Sequence, residues 1–341
     1  MKRALVIGGT GFIGLSIVDA LLERGVDVRV SRRKQSITLL VRKRPVELVD
    51  ASLEDRAALV KAMDGCDYVF LAAAHYPRYS TDRAQSIAVG VRGVRSAFEA
   101  ALTAGVKRVI FTSSTATLAQ APAGRIADER DRLRSSPVDS VYRAVKYELE
   151  REAEDAASRG LDIVTVLPGG CIGPGDLRVG TAGLFVGVVR SMMPWYVEGT
   201  VNVVDVTDVG RTHVEAALRA RRGSRYAIAG HSIALGELLR TVARRYGGQA
   251  PTTCLDAPTA RLRADADEAT AAPKRQRVPF PREMVDIVSS GQPVSSERAR
   301  RDFGIDLTPL PLALDRTHAW LVRCKHVPAI DAAPRRIHES G

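Results

Sequence analysis

Hydrophobic residues in the first half of the chain fall into short runs of about five, set between longer stretches whose apolar positions recur every three or four residues. The short runs, at residues 4–7, 26–30, 46–49, 68–71, 108–111 and 163–167, are rich in Val, Ile and Leu. Such runs read as strands buried on both faces. The longer stretches, at 13–24, 53–63, 89–104 and 141–158, read as helices, and Gly25, Gly105 and Gly160 closely follow three of them, where a left-handed C-terminal cap favours glycine. Strand and helix alternate, which predicts an α/β fold: a doubly wound parallel sheet with helices on both faces.

Beyond Pro168 the pattern loosens. PGGCIGPGD is dense in turn formers and reads as an irregular loop at the carboxyl edge of the sheet. A strand is expected at 202–206, a helix capped by Thr207 or Asp208 and running to Ala220, a strand at 225–229 and a helix at 235–246. The stretch 251–281 is rich in proline and arginine, and its weak periodicity assigns no element. The expected organisation is a core over 1–170, a smaller lobe over 171–327 that returns to the core near 200–230, and a flexible tail over 328–341.

Composition mainly excludes. Hydrophobic residues are 45% and charged residues 26% of the chain, the balance of a soluble globular protein. No apolar run reaches the roughly 18–20 residues of a membrane span. Met1-Lys2-Arg3 leads straight into a strand rather than a signal sequence, so the expected location is the cytoplasm. Cys66, Cys171, Cys254 and Cys324 are far apart and the six histidines do not cluster with them, so no metal is expected. The net charge of +11 raises the question of nucleic acid, but the arginines are spread along the whole chain without a basic stripe, and no nucleic-acid partner is expected.

Chemistry enters at two motifs. In ALVIGGTGFIG, Gly8, Gly11 and Gly14 follow a strand and open a helix. A tight turn, a close backbone approach and a helix N-terminus with free N–H groups are what a pyrophosphate needs. An acidic residue normally closes the second strand and holds a ribose 2′-hydroxyl. Here the stretch reads Val28-Arg29-Val30-Ser31-Arg32-Arg33, with no carboxylate. Two guanidiniums after a serine suit a phosphate monoester, so NADP is expected over NAD. In SVYRAVKYELE, Tyr142 and Lys146 share one helix face a turn apart. A phenol and an ammonium so placed can move a proton, and with the glycine turn they describe a nicotinamide-dependent enzyme.

The chain resembles the extended short-chain dehydrogenase/reductases, which include nucleotide-sugar epimerases, dihydroflavonol reductases and 3β-hydroxysteroid dehydrogenases. The resemblance runs over about residues 3–325 and rests on GGTGFIG, DYVFLAAAHYP, EAALTAGVKRVIFTSS, the Tyr142–Lys146 pair, LPGGCIGPGD, VNVVDVTDVG and SSERARRDFGI in that order. It implies a Rossmann core with a C-terminal substrate lobe. It also implies that Ser114 in FTSST binds the substrate carbonyl, with Ser113 and Thr115 as neighbouring alternatives. Tyr142 would be the acid in reduction and the base in oxidation, and Lys146 would lower its pKa and hold the nicotinamide ribose. The cofactor would further meet Thr10, Phe12, Ile13, Ser52, Leu53, Ala72, Ala73, Ala74, Pro168, Gly169 and Gly170. A homodimer built on the helices at 89–104 and 141–158 is implied as well.

Three positions depart from the family pattern. Ser52 in DASLED stands where an Asp usually meets adenine, and Gly90 where an Asn often supports the active-site helix. Gly170 and Cys171 stand where nucleotide-sugar enzymes place an Asn, which weighs against a sugar nucleotide. Candidate substrate contacts are His75, Tyr76, Tyr79, Arg178, Met192, Met193, Trp195 and Tyr196. An ordinary loop histidine and a lid helix packed on the core are the alternatives for His75 and SMMPWY. The expected function is NADP-dependent reduction of a carbonyl on a small organic molecule. The rivals are an NAD-retaining epimerase or dehydratase acting on a sugar nucleotide and a non-catalytic dinucleotide sensor.

Overall fold

The computed structural model describes residues 1–76, 82–274, 276, 278 and 280–329; Tyr79 and most of the expected tail lie outside them. The first half of the chain runs β1 (Arg3–Ile7), α1 (Phe12–Leu22), β2 (Asp27–Arg32), β3 (Glu47–Asp50), α2 (Arg56–Met63), β4 (Tyr68–Leu71), α3 (Arg83–Ala104), β5 (Arg108–Thr112), α4 (Val141–Ser158) and β6 (Ile163–Pro168). There follow β7 (Gly170–Ile172), α5 (Ala182–Val189), β8 (Tyr196–Val197), β9 (Thr200–Asp205), α6 (Val206–Arg219), β10 (Arg225–Ile228), β11 (His231–Ala234), α7 (Leu235–Tyr246), β12 (Cys254–Leu255), α8 (Ala257–Ala271), α9 (Arg282–Ser289), α10 (Glu297–Phe303) and α11 (Leu310–Arg323).

Seven strands form one parallel sheet in the order β10-β6-β5-β4-β1-β2-β3, the doubly wound arrangement expected from the sequence. Alternation along the strands feeds two cores. Ala4 and Val6 of β1, Phe70 of β4 and Val164 and Val166 of β6 pack with Leu15, Val18 and Leu21 of α1 and Val209 of α6. Leu5 and Ile7, with Val69, Leu71, Val109 and Phe111, face the other way onto α2, α3 and α4 through Leu59, Phe98 and Leu149. This period of two explains why the strands read as unbroken apolar runs.

The remaining elements carry a separate core in which Phe185, Trp195, Leu239, Tyr246, Val285 and Leu314 are buried. Trp195 meets Phe280 edge-on at 5.0 Å, and Trp320 donates its indole N–H to the Asp176 carbonyl at 3.2 Å. Small sheets, β11-β9-β7 and β12-β8, border this core.

Four expectations change. The stretch PGGCIGPGD, expected as an irregular loop, contains β7, which pairs in parallel with β9. Helix α3 begins at Arg83, because Asp82 caps it by accepting from the Gln85 amide at 2.8 Å. Helix α6 is capped by Asp205, which accepts from the Thr207 amide at 2.8 Å, while Asp208 lies within the first turn and accepts from Thr308. The unassigned stretch contains β12 and α8, whose inner face is made of Ala260, Ala264, Glu268 and Ala271 and so gives no large-apolar period.

The edge strand β10 is tied to α4 by a buried ion pair: Arg225 donates to Glu150 Oε2 at 2.8 Å, with 5% and 13% of the side chains exposed. Ser113 and Thr117 donate to the other Glu150 oxygen. Arg225→Met leaves that carboxylate buried without its cation, and urea denaturation should show a loss of about 3–5 kcal/mol. Arg225→Met with Glu150→Gln should recover most of it; an equal loss in the double variant would show that the pair is not what matters.

Candidate active site

Strand order reverses between β1 and β4, and in doubly wound sheets ligands sit in the crevice beyond the carboxyl ends at that point. Gly8 ends β1 there with φ +94°, and a Cβ on it would lie 2.8 Å from the Ala72 carbonyl carbon and the Ala73 nitrogen. A Cβ on Gly14 would lie 2.1 Å from the Gly8 oxygen. The turn, the first turn of α1 and the loop after β4 are thus in backbone contact, and the motif spacing is forced by that contact. Gly11, the exposed N-cap of α1, supplies no side chain to the helix amides. Thr10 is half-buried, and Phe12 and Ile13 anchor the helix start on the core. Uncapped amides, a local positive potential and a side-chain-free approach fit a dinucleotide pyrophosphate.

At the neighbouring strand end Ser31 is buried, Arg32 is half-buried and Arg33 is exposed. The sequence offered no carboxylate here, but β3 brings one. Asp50 pairs with Arg32 in register, its carboxylate 2.9 Å from the Arg32 Nε. Arg33 donates only its backbone N–H, to the Ser36 hydroxyl at 2.9 Å, among the contacts described for it. Ser52 and Leu53 follow β3, half-buried, with Leu53 packed toward Gly93 of α3.

Ser114 follows β5, buried, with its hydroxyl accepting from the Ala116 amide at 3.2 Å. Its hydroxyl lies close enough to the phenol of Tyr142, on the first turn of α4, to act on that group's pKa. One turn on, buried Lys146 donates from Nζ to the Thr112 carbonyl at 3.3 Å. Burial pulls Lys146 down to about 8, opposed by the Glu150 charge a further turn along. Burial pushes the Tyr142 phenol up, with Tyr76, Cys171 and Glu283 adding to the rise and the nearby Ser114 hydroxyl opposing it. The sequence led us to expect a phenol depressed by Lys146; in this structure desolvation dominates and the opposing force comes from Ser114. Of the two neighbours left open, Ser113 is engaged by Glu150, and Thr115 donates to the Pro168 carbonyl at 3.3 Å.

Pro168 closes β6, and Gly169 is pinned between the Ala229 and Asn202 carbonyls, each 2.9 Å from where a Cβ would stand. Gly170 has the Asn202 carbonyl at 3.1 Å from the same point. Ala72, Ala73 and Ala74 are half-buried, the first two against Gly8.

The substrate candidates separate into two groups. Tyr76 stands over Tyr142, ring centroids 5.1 Å apart, and His75 is half-buried beside Gly90. The other group makes contacts elsewhere. Trp195 and Met193 are buried in the lobe core, and exposed Met192 lines a groove of about 630 Å³ with Val189, Val322 and Lys325. Tyr196 joins β8 and packs beside Gly236 of α7, and Arg178 is exposed, its amide on Asp176 at 3.1 Å. None of these described contacts includes Ser114, Tyr142 or Lys146. Three groups at the site were not anticipated: Glu283 and the thiol of Cys171 beside the phenol, the thiol raised by burial to about 12, and Glu150, whose charge acts on Lys146. Glu150 was findable, one turn beyond Lys146; Glu283 comes from far along the chain and gave no signal.

At Gly90 a Cβ would meet Val145 Cγ1 at 3.2 Å and Leu149 Cδ2 at 3.3 Å. Glycine thus lets α3 lie directly against α4, and a larger side chain needs α4 to give way.

Residues 4–229 match the profile of the NAD dependent epimerase/dehydratase family. A Synechocystis protein provisionally named a dihydroflavonol 4-reductase is 32% identical, over 92% of this chain and 93% of that protein. Cinnamoyl-CoA reductase 1 of Oryza sativa subsp. japonica is 28% identical, over 98% and 94%. The structure of a nucleoside-diphosphate-sugar epimerase from Pseudomonas aeruginosa superposes with a TM-score of 0.79 at 26% identity, covering 96% of this chain and 99% of that one. With the glycine turn at the switch point and Ser114 beside the Tyr142 phenol, these likenesses mean that the chain belongs to the NAD dependent epimerase/dehydratase family, an NAD(P)-dependent enzyme of the extended short-chain dehydrogenase/reductase type.

Proposed function

We propose that this enzyme uses NADPH to reduce a ketone or related carbonyl on a small organic molecule. The observation that supports it most is the convergence of buried Ser114 on the Tyr142 phenol, with buried Lys146 one turn further along α4. Gly8 to Gly14, Ala72 to Ala74 and Pro168 to Gly170 are the residues that would hold the dinucleotide, which supplies the hydride when bound. Ser114 donates a hydrogen bond to the carbonyl oxygen. Tyr142, kept protonated through the neutral range by burial, gives that oxygen its proton. The Lys146 ammonium offsets the phenolate charge left behind. Because Lys146 titrates near 8, this support fades as pH rises past that value.

Arg33 is the better candidate for a 2′-phosphate, since Arg32 already faces Asp50. Asp50 also favours a second reading. A carboxylate at this strand end suits a ribose 2′-hydroxyl, and with it an NAD-retaining epimerase or dehydratase. A homodimer through the outer faces of α3 and α4 completes the proposal. Among the described residues no helix is long and apolar enough to cross a membrane.

Fluorescence titration should show NADPH binding at least about tenfold tighter than NADH, with Arg33→Ala removing most of the difference and Arg32→Ala less. Tighter NADH binding, unchanged in Arg33→Ala, would move the assignment to the Asp50 reading. Tyr142→Phe should lower carbonyl reduction by about a hundredfold or more while leaving NADPH affinity intact. Full turnover in that variant excludes the phenol as proton donor.

Lys146→Met should be inactive yet more heat-stable at pH 7. The folded-state pKa of Lys146 lies below its ordinary value of 10.5, so its burial opposes folding fully below about 8 and not at all above about 10.5. The Tm gain should therefore shrink as pH rises between those limits, and a gain independent of pH would refute this origin.

A further inference from the structure

Helix α4 does not finish its own N-terminus. Its cap, Ser140, accepts from the Arg143 amide at 3.1 Å and donates from the same hydroxyl to Glu283 Oε2 at 2.7 Å. The Val141 amide donates to Glu283 Oε1 at 3.0 Å, and the Tyr142 amide to Oε2 at 3.1 Å. Glu283, 4% exposed, belongs to α9 and arrives 142 residues after Val141. A carboxylate there answers donors that a helix start leaves open, and it lies at the positive end of the helix dipole. Three charge-assisted hydrogen bonds make its burial tolerable.

Helix α9 is itself held firmly. Val285 and Val288 are buried in the lobe core. Arg282 reaches Asp265 at 2.6 Å and Asp286 at 2.9 Å, and Arg261 of α8 reaches Asp286 at 2.7 Å. The carboxylate that grips α4 is therefore mounted on a cross-linked pair of lobe helices rather than on a loose segment.

We propose that Glu283 is a positioning residue for Tyr142, through which the C-terminal lobe sets where the proton-donating phenol stands against Ser114. The proposal rests on the reductase reading above. The bonded amide is that of Tyr142 itself, so the grip fixes the backbone from which the phenol projects. The charge acts as well. Tyr76 from the loop after β4, Ser114 from the end of β5, Cys171 from β7 and Glu283 from α9 face the phenol, with Lys146 on its own helix. Among the first four, Glu283 alone is a carboxylate; its charge adds to the burial that favours the protonated phenol, and removing it lowers the phenol's pKa.

The test uses the full chain with Glu283→Ala and Glu283→Gln, followed by amide hydrogen exchange, NADPH titration and steady-state kinetics. In Glu283→Ala the amides of residues 141–142 should exchange about tenfold faster or more, with the later turns of α4 unchanged. Its kcat for reduction should fall by about tenfold or more, with NADPH affinity within about twofold of wild type. Glu283→Gln keeps an acceptor and loses the charge, so its pH profile for alcohol oxidation, which needs the phenolate, should move to lower pH. A residue that only stabilises the fold would lower Tm and leave that profile in place. Wild-type exchange and kcat in Glu283→Ala, or an unmoved profile in Glu283→Gln, overturns the proposal. A wild-type protein that turns over no carbonyl overturns the reductase reading by itself, while the exchange rates still decide whether Glu283 holds Tyr142.

Discussion

Everything at the candidate site depends on how α4 is clamped. One face of this helix presents Tyr142, Lys146 and Glu150 at successive turns, and each level has its own restraint. The first turn is held by the Glu283 carboxylate, the second by the Thr112 carbonyl, the third by Ser113, Thr117 and Arg225. None of these partners lies on α4. They come from β5, the short turn after it, β10 and α9, so the helix stands correctly only when the sheet and the lobe are both in place. Buried polar groups of this kind add little net stability when satisfied and cost much when one partner is lost. They are better understood as fixing geometry than as holding the fold together.

The fold was legible because its signals are local. Period-two runs that feed two cores cannot be mistaken for helices when they are only four to six residues long, and glycines mark where several helices stop; Gly105 ends α3 at φ +65°. The glycine turn was legible for a related reason. Gly8 and Gly14 are required by backbone contacts that follow directly from a strand–turn–helix connection. The same locality explains the failures. Alanine-faced α8 has little hydrophobic contrast, and the start of α3 is set by a single aspartate in a polar run.

The site was legible only in part. Tyr142 and Lys146 announce themselves by spacing on one helix, and Ser114 by following a strand with a recognisable run. Asp50 and Glu283 act across strand register and lobe packing, which a linear reading does not contain. Residues of SMMPWY mislead in the opposite direction. An apolar cluster suits a ligand pocket and a lobe core equally well by composition, and here Met193 and Trp195 are consumed by packing.

The distribution of indole rings has a practical consequence. The chain has two tryptophans, Trp195 and Trp320, and both belong to the C-terminal lobe, one against Phe280 and the other bonded to the Asp176 carbonyl. The nucleotide-binding half contributes none. Tryptophan emission of this protein is therefore a reporter of one lobe alone, and unfolding followed by it describes the lobe even where the parallel sheet melts separately.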